Sequence, residues 1–222
     1  MDRDRVLVVE DDDFTRAMLI SSLKLEGLDV VGDSATVRGA INIMETLKPD
    51  IAIIDLHLGA GPTGLDLALS FRLRYPKLGI VLLTTYDDPR LLAPNLPALP
   101  LGAVYMVKRD LSTISHLIKA IEIALDNVGE NVITGKQKFE RANPVEDITD
   151  GQIETMRLLA HGLSNREIAT TKGISEKSVE QSITRLGAQL GIKKDDSRNV
   201  RVQITNFYYQ LTGSSNAAVK SK

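Results

Sequence analysis

Asp50-Ile51-Ala52-Ile53-Ile54-Asp55-Leu56-His57-Leu58-Gly59 is a short apolar run that breaks off first at a carboxylate and then at glycine. Four apolar residues bounded by polar ones form the pattern of a strand buried on both faces. Asp55 then falls at its carboxyl end. In an open parallel α/β sheet that edge is where loops converge and ligands bind, because helices cover both faces. A lone aspartate could equally just end a strand, so the reading turns on what the neighbouring strands deliver.

Working outward, Val6-Leu7-Val8-Val9 is a second apolar run that ends in acid, at Glu10-Asp11-Asp12-Asp13. Residues 15–26 carry Ala17, Leu19, Ile20, Leu23 and Leu25 at helical spacing, and Gly27 stops them. Residues 29–32 read as a strand and residues 37–47 as a helix closed by Lys48-Pro49. After Asp55, residues 65–75 form a helix ended by Pro76. Ile80-Val81-Leu82-Leu83 is a strand delivering Thr84, Val104-Tyr105-Met106-Val107 is one delivering Lys108, and residues 111–125 close the pattern as a helix. Five strands alternating with helices predict an α/β fold with a doubly wound parallel sheet and right-handed crossovers.

With 222 residues, two domains are expected. A content of 43% hydrophobic and 25% charged residues is enough for a core in each. The absence of cysteine excludes disulfides, thiolate catalysis and cysteine-ligated metals, and fits a reducing compartment. Met1-Asp2-Arg3-Asp4-Arg5 runs straight into a strand, leaving no room for a signal peptide. No apolar run approaches membrane-spanning length, so a cytoplasmic protein with no membrane partner is expected. The net charge of −2 conceals an asymmetry: residues 148–222 hold 11 Lys and Arg against 7 Asp and Glu, and residues 1–147 hold 16 against 22. An acidic first part suits a metal, and a mildly basic second part suits a phosphate backbone.

Glu10, Asp11, Asp55, Thr84 and Lys108 all fall at or just past a strand's carboxyl end, and so should converge. Clustered carboxylates repel one another unless a cation sits among them, and oxygen-only ligands favour Mg²⁺. A hydroxyl and an ammonium opposite them suit a phosphoryl group with three anionic oxygens. Singly, each has a plainer account: Asp11 to Asp13 as a solvated loop or helix cap, Thr84 as a turn residue, Lys108 as a surface charge.

With these residues in place, residues 5–126 resemble the receiver domain of two-component response regulators, which is flavodoxin-like. The resemblance implies that Asp55 accepts a phosphoryl group from the phosphohistidine of a sensor histidine kinase. It implies Mg²⁺ held by Glu10 or Asp11, by Asp55 and by the backbone carbonyl of His57. Thr84 and Lys108 would complete the site, and Tyr105 would be the aromatic residue that changes rotamer with Thr84. Three features depart from the family. Gly59 stands where proline is usual, in a loop one residue longer; the loop at Gly102-Ala103-Val104 is one residue short; and Pro89, Pro94, Pro97 and Pro100 punctuate the segment between the fourth and fifth strands. Interior prolines cost about 3 kcal/mol each, so at most a turn or two of helix is expected there.

Residues 127–147 lack periodicity and read as a linker. Thr149-Asp150-Gly151-Gln152 and Ser164-Asn165-Arg166-Glu167 are capping boxes, opening helices stopped by Gly162 and Gly173. A third helix starts at Ser175 and runs to Leu190. Two capped helices about a glycine turn predict a helix-turn-helix, a pairing also found in plain bundles. Residues 148–192, including Leu158 to Ala169 and Gly173 to Val179, resemble the LuxR-type (NarL-like) DNA-binding domain. Val179, Ile183, Leu186 and Leu190 should face inward, leaving Lys177, Glu180, Gln181, Thr184 and Arg185 toward the major groove of double-stranded DNA. A last helix over residues 197–210 would, by the resemblance, supply a homodimer contact. The domains expected are thus 1–126, 148–212 and a disordered tail, 213–222. His161 reads as a helix-end residue rather than a metal ligand.

The leading reading is a transcription regulator switched by phosphorylation, not an enzyme. An aspartate-nucleophile phosphohydrolase usually carries a second Asp two residues after the nucleophile, and His57 stands there. A third reading keeps DNA binding but places an atypical receiver under another ligand or partner, independent of phosphorylation.

Overall fold

The computed structural model describes residues 4–59, 61–91, 98–111, 113–128, 147–192 and 199–212. The chain divides into two compact units, Met1–Thr84 with Pro97–Phe139, and Thr85–Leu96 with Glu140–Lys222. The division does not follow chain order, because a short stretch behind Thr84 packs with the second unit.

The first unit is a five-stranded parallel sheet in the order β2-β1-β3-β4-β5. Its strands are β1 (Arg5–Val9), β2 (Asp29–Ser34), β3 (Ile51–Asp55), β4 (Gly79–Thr84) and β5 (Val104–Val107). Its helices are α1 (Asp13–Leu25), α2 (Val37–Leu47), α3 (Gly64–Arg74) and α4 (Ile114–Asp126). This is the doubly wound architecture expected from the alternating pattern. Every residue of β3 and β4 is buried, which is why both read as unbroken apolar runs rather than alternating ones. β2, at the edge, is half exposed and carries Asp29 and Asp33. Val6, Val8, Ile51, Ile53, Val81, Leu83, Val104 and Met106 pack on Leu117, Ala120, Ile121 and Ala124 of α4 in one core.

Register positions the site. Val9 pairs with Ile54, Asp55 with Leu83 and Thr84 with Val107, so the strands end together at one edge of the sheet.

Several ends differ from the sequence expectation, each for a local reason. α1 begins at Asp13, because the Asp12 side chain caps it by accepting from the Thr15 amide at 2.7 Å. β2 extends to Ser34, and Glu10 N–H donates to the Ser34 carbonyl. β4 takes in Thr84 itself. The chain after β5 makes a 3₁₀ turn at Lys108–Asp110 before α4 starts at Ile114. In the proline-rich segment the described part contains one 3₁₀ turn, Pro89–Leu91, and residues 92–97 lie outside the described residues.

The second unit contains α5 (Asp150–Ala160), α6 (Asn165–Lys172), α7 (Glu176–Gln189) and α8 (Val200–Leu211). Both capping boxes form reciprocally, at Thr149 with Gln152 and at Ser164 with Glu167. Gly173, with φ 64°, makes the left-handed turn between α6 and α7 that an L-residue would resist. α8 starts at Val200 under an Asn199 cap, and the start expected at Ser197 lies outside the described residues. So do most of the linker, residues 129–146, and the tail, residues 213–222. Ile153, Met156, Ile168, Val179, Ile183, Leu186, Ile204 and Leu211 form its core together with Leu91.

Candidate functional site

Glu10, Asp11, Asp55 and Lys108 come together where β1, β3 and β5 end. Lys108 Nζ donates to Glu10 Oε2 at 2.6 Å and to Asp55 Oδ2 at 2.9 Å, bridging two carboxylates 45 residues apart in sequence. Glu10 is 1% exposed and Asp55 7%, whereas Asp11 faces solvent. Burial, opposed by the Lys108 hydrogen bond and reinforced by the charge of Asp55, raises the Glu10 carboxyl above its ordinary value. Burial also works to lower Lys108, but Asp55 and Glu10 together outweigh it and leave the ammonium raised.

One carboxylate oxygen from each of Glu10, Asp11 and Asp55 lies within 4.8 Å of the others. At an effective dielectric of ~20, unit charges at that limit of 4.8 Å repel by about 3 kcal/mol per pair. One ammonium cannot offset three carboxylates, so the cluster favours a further cation and fits an all-oxygen ion such as Mg²⁺.

Thr84 is fully buried at the end of β4, and Tyr105 in β5 is 8% exposed. His57 is exposed, and its backbone N–H donates to Asp55 Oδ1 at 3.3 Å, which orients the carboxylate.

Two residues that sequence reasoning passed over shape this edge. A Cβ on Gly64 would sit 1.8 Å from the Asp55 carbonyl oxygen, so α3 can start against the site only with glycine there. The signal was visible as a glycine directly behind the Thr63 cap. Arg16 Nη1 donates to the Glu10 carbonyl at 2.8 Å and its Nε to Asp33 at 3.0 Å, bracing the acidic turn from α1. Nothing in the helical spacing marks Arg16 for that part.

In the second unit Lys177, Glu180, Gln181, Thr184 and Arg185 are all exposed along α7, while Val179, Ile183 and Leu186 are buried and Leu190 partly so. The Thr184 hydroxyl donates to the Glu180 carbonyl at 2.9 Å. Among the described residues no ion pair joins Glu180 to Lys177 or Arg185, so the exposed face keeps its charged groups free. In α8, Ile204 and Tyr208 are buried in the unit's own core, Val200 and Phe207 are partly buried, and Val202 is 56% exposed. His161 caps the end of α5 and is exposed.

The profile of the response regulator receiver domain matches residues 6–122, and that of the bacterial regulatory proteins of the luxR family matches residues 147–203. The chain is 29% identical over 198 residues to the DNA-binding transcriptional activator DevR/DosR of Mycobacterium tuberculosis, covering 86% of this chain and 89% of that protein. It is 27% identical over 208 residues to the transcriptional regulatory protein LnrK of Bacillus subtilis, covering 85% and 91%. In fold it is similar to RcsB of Salmonella typhimurium, with a TM-score of 0.51 at 20% identity, over 96% of this chain and all of that one. A structure of two RcsB dimers bound to two parallel DNAs gives 0.52 at 20% identity, over 95% of this chain. Among the described residues no helix is long and apolar enough to cross a membrane.

Proposed function

The chain belongs to the response regulators, with a receiver domain followed by a LuxR-family regulatory domain, and we propose that it is a transcription factor switched by phosphorylation of Asp55. The observation that carries this is the Lys108 bridge: an ammonium 2.6 Å from Glu10 and 2.9 Å from Asp55, at the meeting point of three strand ends.

In the reaction an Asp55 carboxylate oxygen forms the new bond to phosphorus. The bond from phosphorus to the imidazole nitrogen of a sensor histidine kinase breaks, and the imidazole leaves with the electron pair. Charge on the transferring group is spread over its equatorial oxygens, so positioning and electrostatics do most of the work. Lys108 moves its donors from Glu10 to those oxygens, and the Thr84 hydroxyl donates to one of them. Tyr105 follows into the space that Thr84 leaves. Glu10, Asp11, Asp55 and the His57 carbonyl would hold Mg²⁺, which when bound neutralises charge on the phosphoryl oxygens. The N–H of His57 keeps Asp55 turned toward the incoming group.

The output is read by α7. Lys177, Glu180, Gln181, Thr184 and Arg185 enter the major groove of double-stranded DNA, and a homodimer contact through α8 places two such helices on paired half-sites. The cytoplasm is the compartment in which a kinase and DNA are both within reach.

Incubation with Mg²⁺ and acetyl phosphate, followed by intact-mass measurement, tests the reading. One base-labile phosphoryl group should appear only with Mg²⁺ present, and Asp55→Asn should abolish it. Labelling that persists in Asp55→Asn, or no labelling with any donor, would favour a regulator controlled without phosphorylation.

A further inference from the structure

We propose that Arg16 is a positioning residue for the Mg²⁺ site: from α1 it fixes the peptide unit that joins Glu10 to Asp11, and thereby sets the affinity of the acidic edge for the ion. This rests on the phosphorylation reading above, in which Glu10, Asp11 and Asp55 hold the metal.

Glu10 lies between two peptide units that are each tied to a neighbouring element. Its N–H, on the unit shared with Val9, donates at 3.0 Å to the carbonyl of Ser34, the last residue of β2. Its carbonyl, on the unit shared with Asp11, accepts from Arg16 Nη1 at 2.8 Å. A peptide unit is planar, so holding the planes on both sides of Glu10 leaves its two soft torsions little freedom. The Arg16 bond also fixes the plane from which Asp11 departs. Asp11 is exposed, and among the described residues its carboxylate accepts no hydrogen bond, so its direction is set by the backbone.

Arg16 serves the metal cluster through this backbone contact and not through its charge. Its Nε donates to Asp33 of β2 at 3.0 Å and its Nη2 to Asp13 at 2.5 Å. Neither carboxylate belongs to the group formed by Glu10, Asp11 and Asp55, so the guanidinium charge is matched outside it. Three donors reaching three separate acceptors need a planar fork, which an ammonium on a flexible stem does not reproduce. The Arg16 side chain is only 17% exposed, which limits competition from water for these bonds. Charge and position predict opposite signs. A cation beside a metal site repels the ion, so if charge were all that Arg16 contributed, its removal would tighten Mg²⁺ binding. If Arg16 orients the ligands, its removal weakens binding, as loss of an outer-shell partner does.

Titration of the full chain with Mg²⁺, followed through the amide NMR signals of Asp11 and His57, reads the dissociation constant of the folded protein. Arg16→Ala should raise that constant roughly tenfold. Arg16→Lys keeps the charge without the fork and should raise it about threefold, and it carries the test where Arg16→Ala does not fold. Asp50→Ala controls for lost stability, because Asp50 accepts from the Arg5 amide at 2.9 Å at the opposite edge of the sheet. It should lower the melting temperature and leave the Mg²⁺ constant unchanged. An unchanged or tighter constant in Arg16→Ala, full recovery in Arg16→Lys, or an equal loss in Asp50→Ala overturns the positioning role. Intact-mass labelling of Asp55 by acetyl phosphate runs in parallel on the wild type. Labelling together with wild-type Mg²⁺ affinity in both Arg16 variants overturns the positioning role and leaves the phosphorylation reading standing; a wild type that neither binds Mg²⁺ nor becomes labelled overturns both.

Discussion

Among the described residues, the charge cluster at the sheet edge and the one around Arg90 are built on opposite terms. At the sheet edge, Lys108 is shared by Glu10 and Asp55 with Asp11 close by, so negative charge is in excess. In the second unit, Arg90 meets Asp88, Asp150 and a carbonyl, and its guanidinium donors find partners on every side used. Those contacts raise Arg90 above its ordinary pKa, hydrogen bonding to Asp88 being the largest cause, against the lowering by burial. A cluster that holds a fold together closes its valences. One that waits for a ligand leaves a charge unmet, and keeps its cation able to change partners.

That contrast can be broken most severely at Gly64. A Cβ there meets Asp55 backbone atoms at 1.8 and 2.8 Å, which no side-chain rotamer can relieve. Gly64→Ala should destabilise the first unit by about 3 kcal/mol and slow phosphorylation, read from urea melts and acetyl phosphate labelling. Wild-type melting would show that α3 moves freely and that the edge is less constrained than drawn.

Next in size is Arg90→Ala, which leaves Asp88 buried without its fork. A loss of about 2–3 kcal/mol is expected, less than for a fully buried pair because Arg90 is 32% exposed. The matched change at the sheet edge, Lys108→Met, should cost less without Mg²⁺ and make the protein gain more stability from added Mg²⁺, since Glu10 and Asp55 lose the ammonium that bridges them. Equal Mg²⁺ responses in the two proteins would dissolve the distinction between closed and open clusters.

A third test concerns an exposed charge that neither cluster claims. Glu180 has no ion pair with Lys177 or Arg185 among the described residues, and its carboxylate can accept from the amino group of cytosine. Glu180→Ala should relax preference at one position of each half-site, costing about 1–3 kcal/mol of discrimination, while Lys177→Ala or Arg185→Ala weakens all sequences alike and flattens the salt dependence. Selection on random DNA returning one motif for wild type and Glu180→Ala, with uniformly tighter binding, would make Glu180 an electrostatic brake.

The smallest effect is at Lys172, which donates to the Gly151 carbonyl and to Thr155 Oγ1. Burial lowers its pKa, with Glu154 opposing, so the folded state releases this proton before the unfolded chain does. Between the depressed value and 10.5 the unfolded state binds more protons, and this group's contribution to stability rises with pH. Thermal melts of wild type and Lys172→Gln across that window should diverge slightly, wild type gaining on the alkaline side.

Strand-end residues were legible because a buried parallel strand writes itself as an apolar run, and whatever follows the run must sit at the carboxyl edge. Glu10, Asp55, Thr84 and Lys108 are each placed by that rule. The caps of α5 and α6 were equally readable, since Thr149 with Gln152 and Ser164 with Glu167 satisfy amides within one turn. Sequence alone therefore determined the sheet, the helix-turn-helix and the gathering of the acidic edge. It also showed from Pro89, Pro94, Pro97 and Pro100 that regular helix between β4 and β5 would be costly. Where residues 87–91 go instead was decided only by tertiary structure. Arg90 finds Asp150 60 residues away, the Asp87 amide finds the carbonyl of Leu211, and Gly64 matters because α3 abuts the Asp55 backbone. Periodicity and capping report contacts within a few residues of the chain, whereas these pairings depend on the packed position of whole elements, which no local pattern encodes.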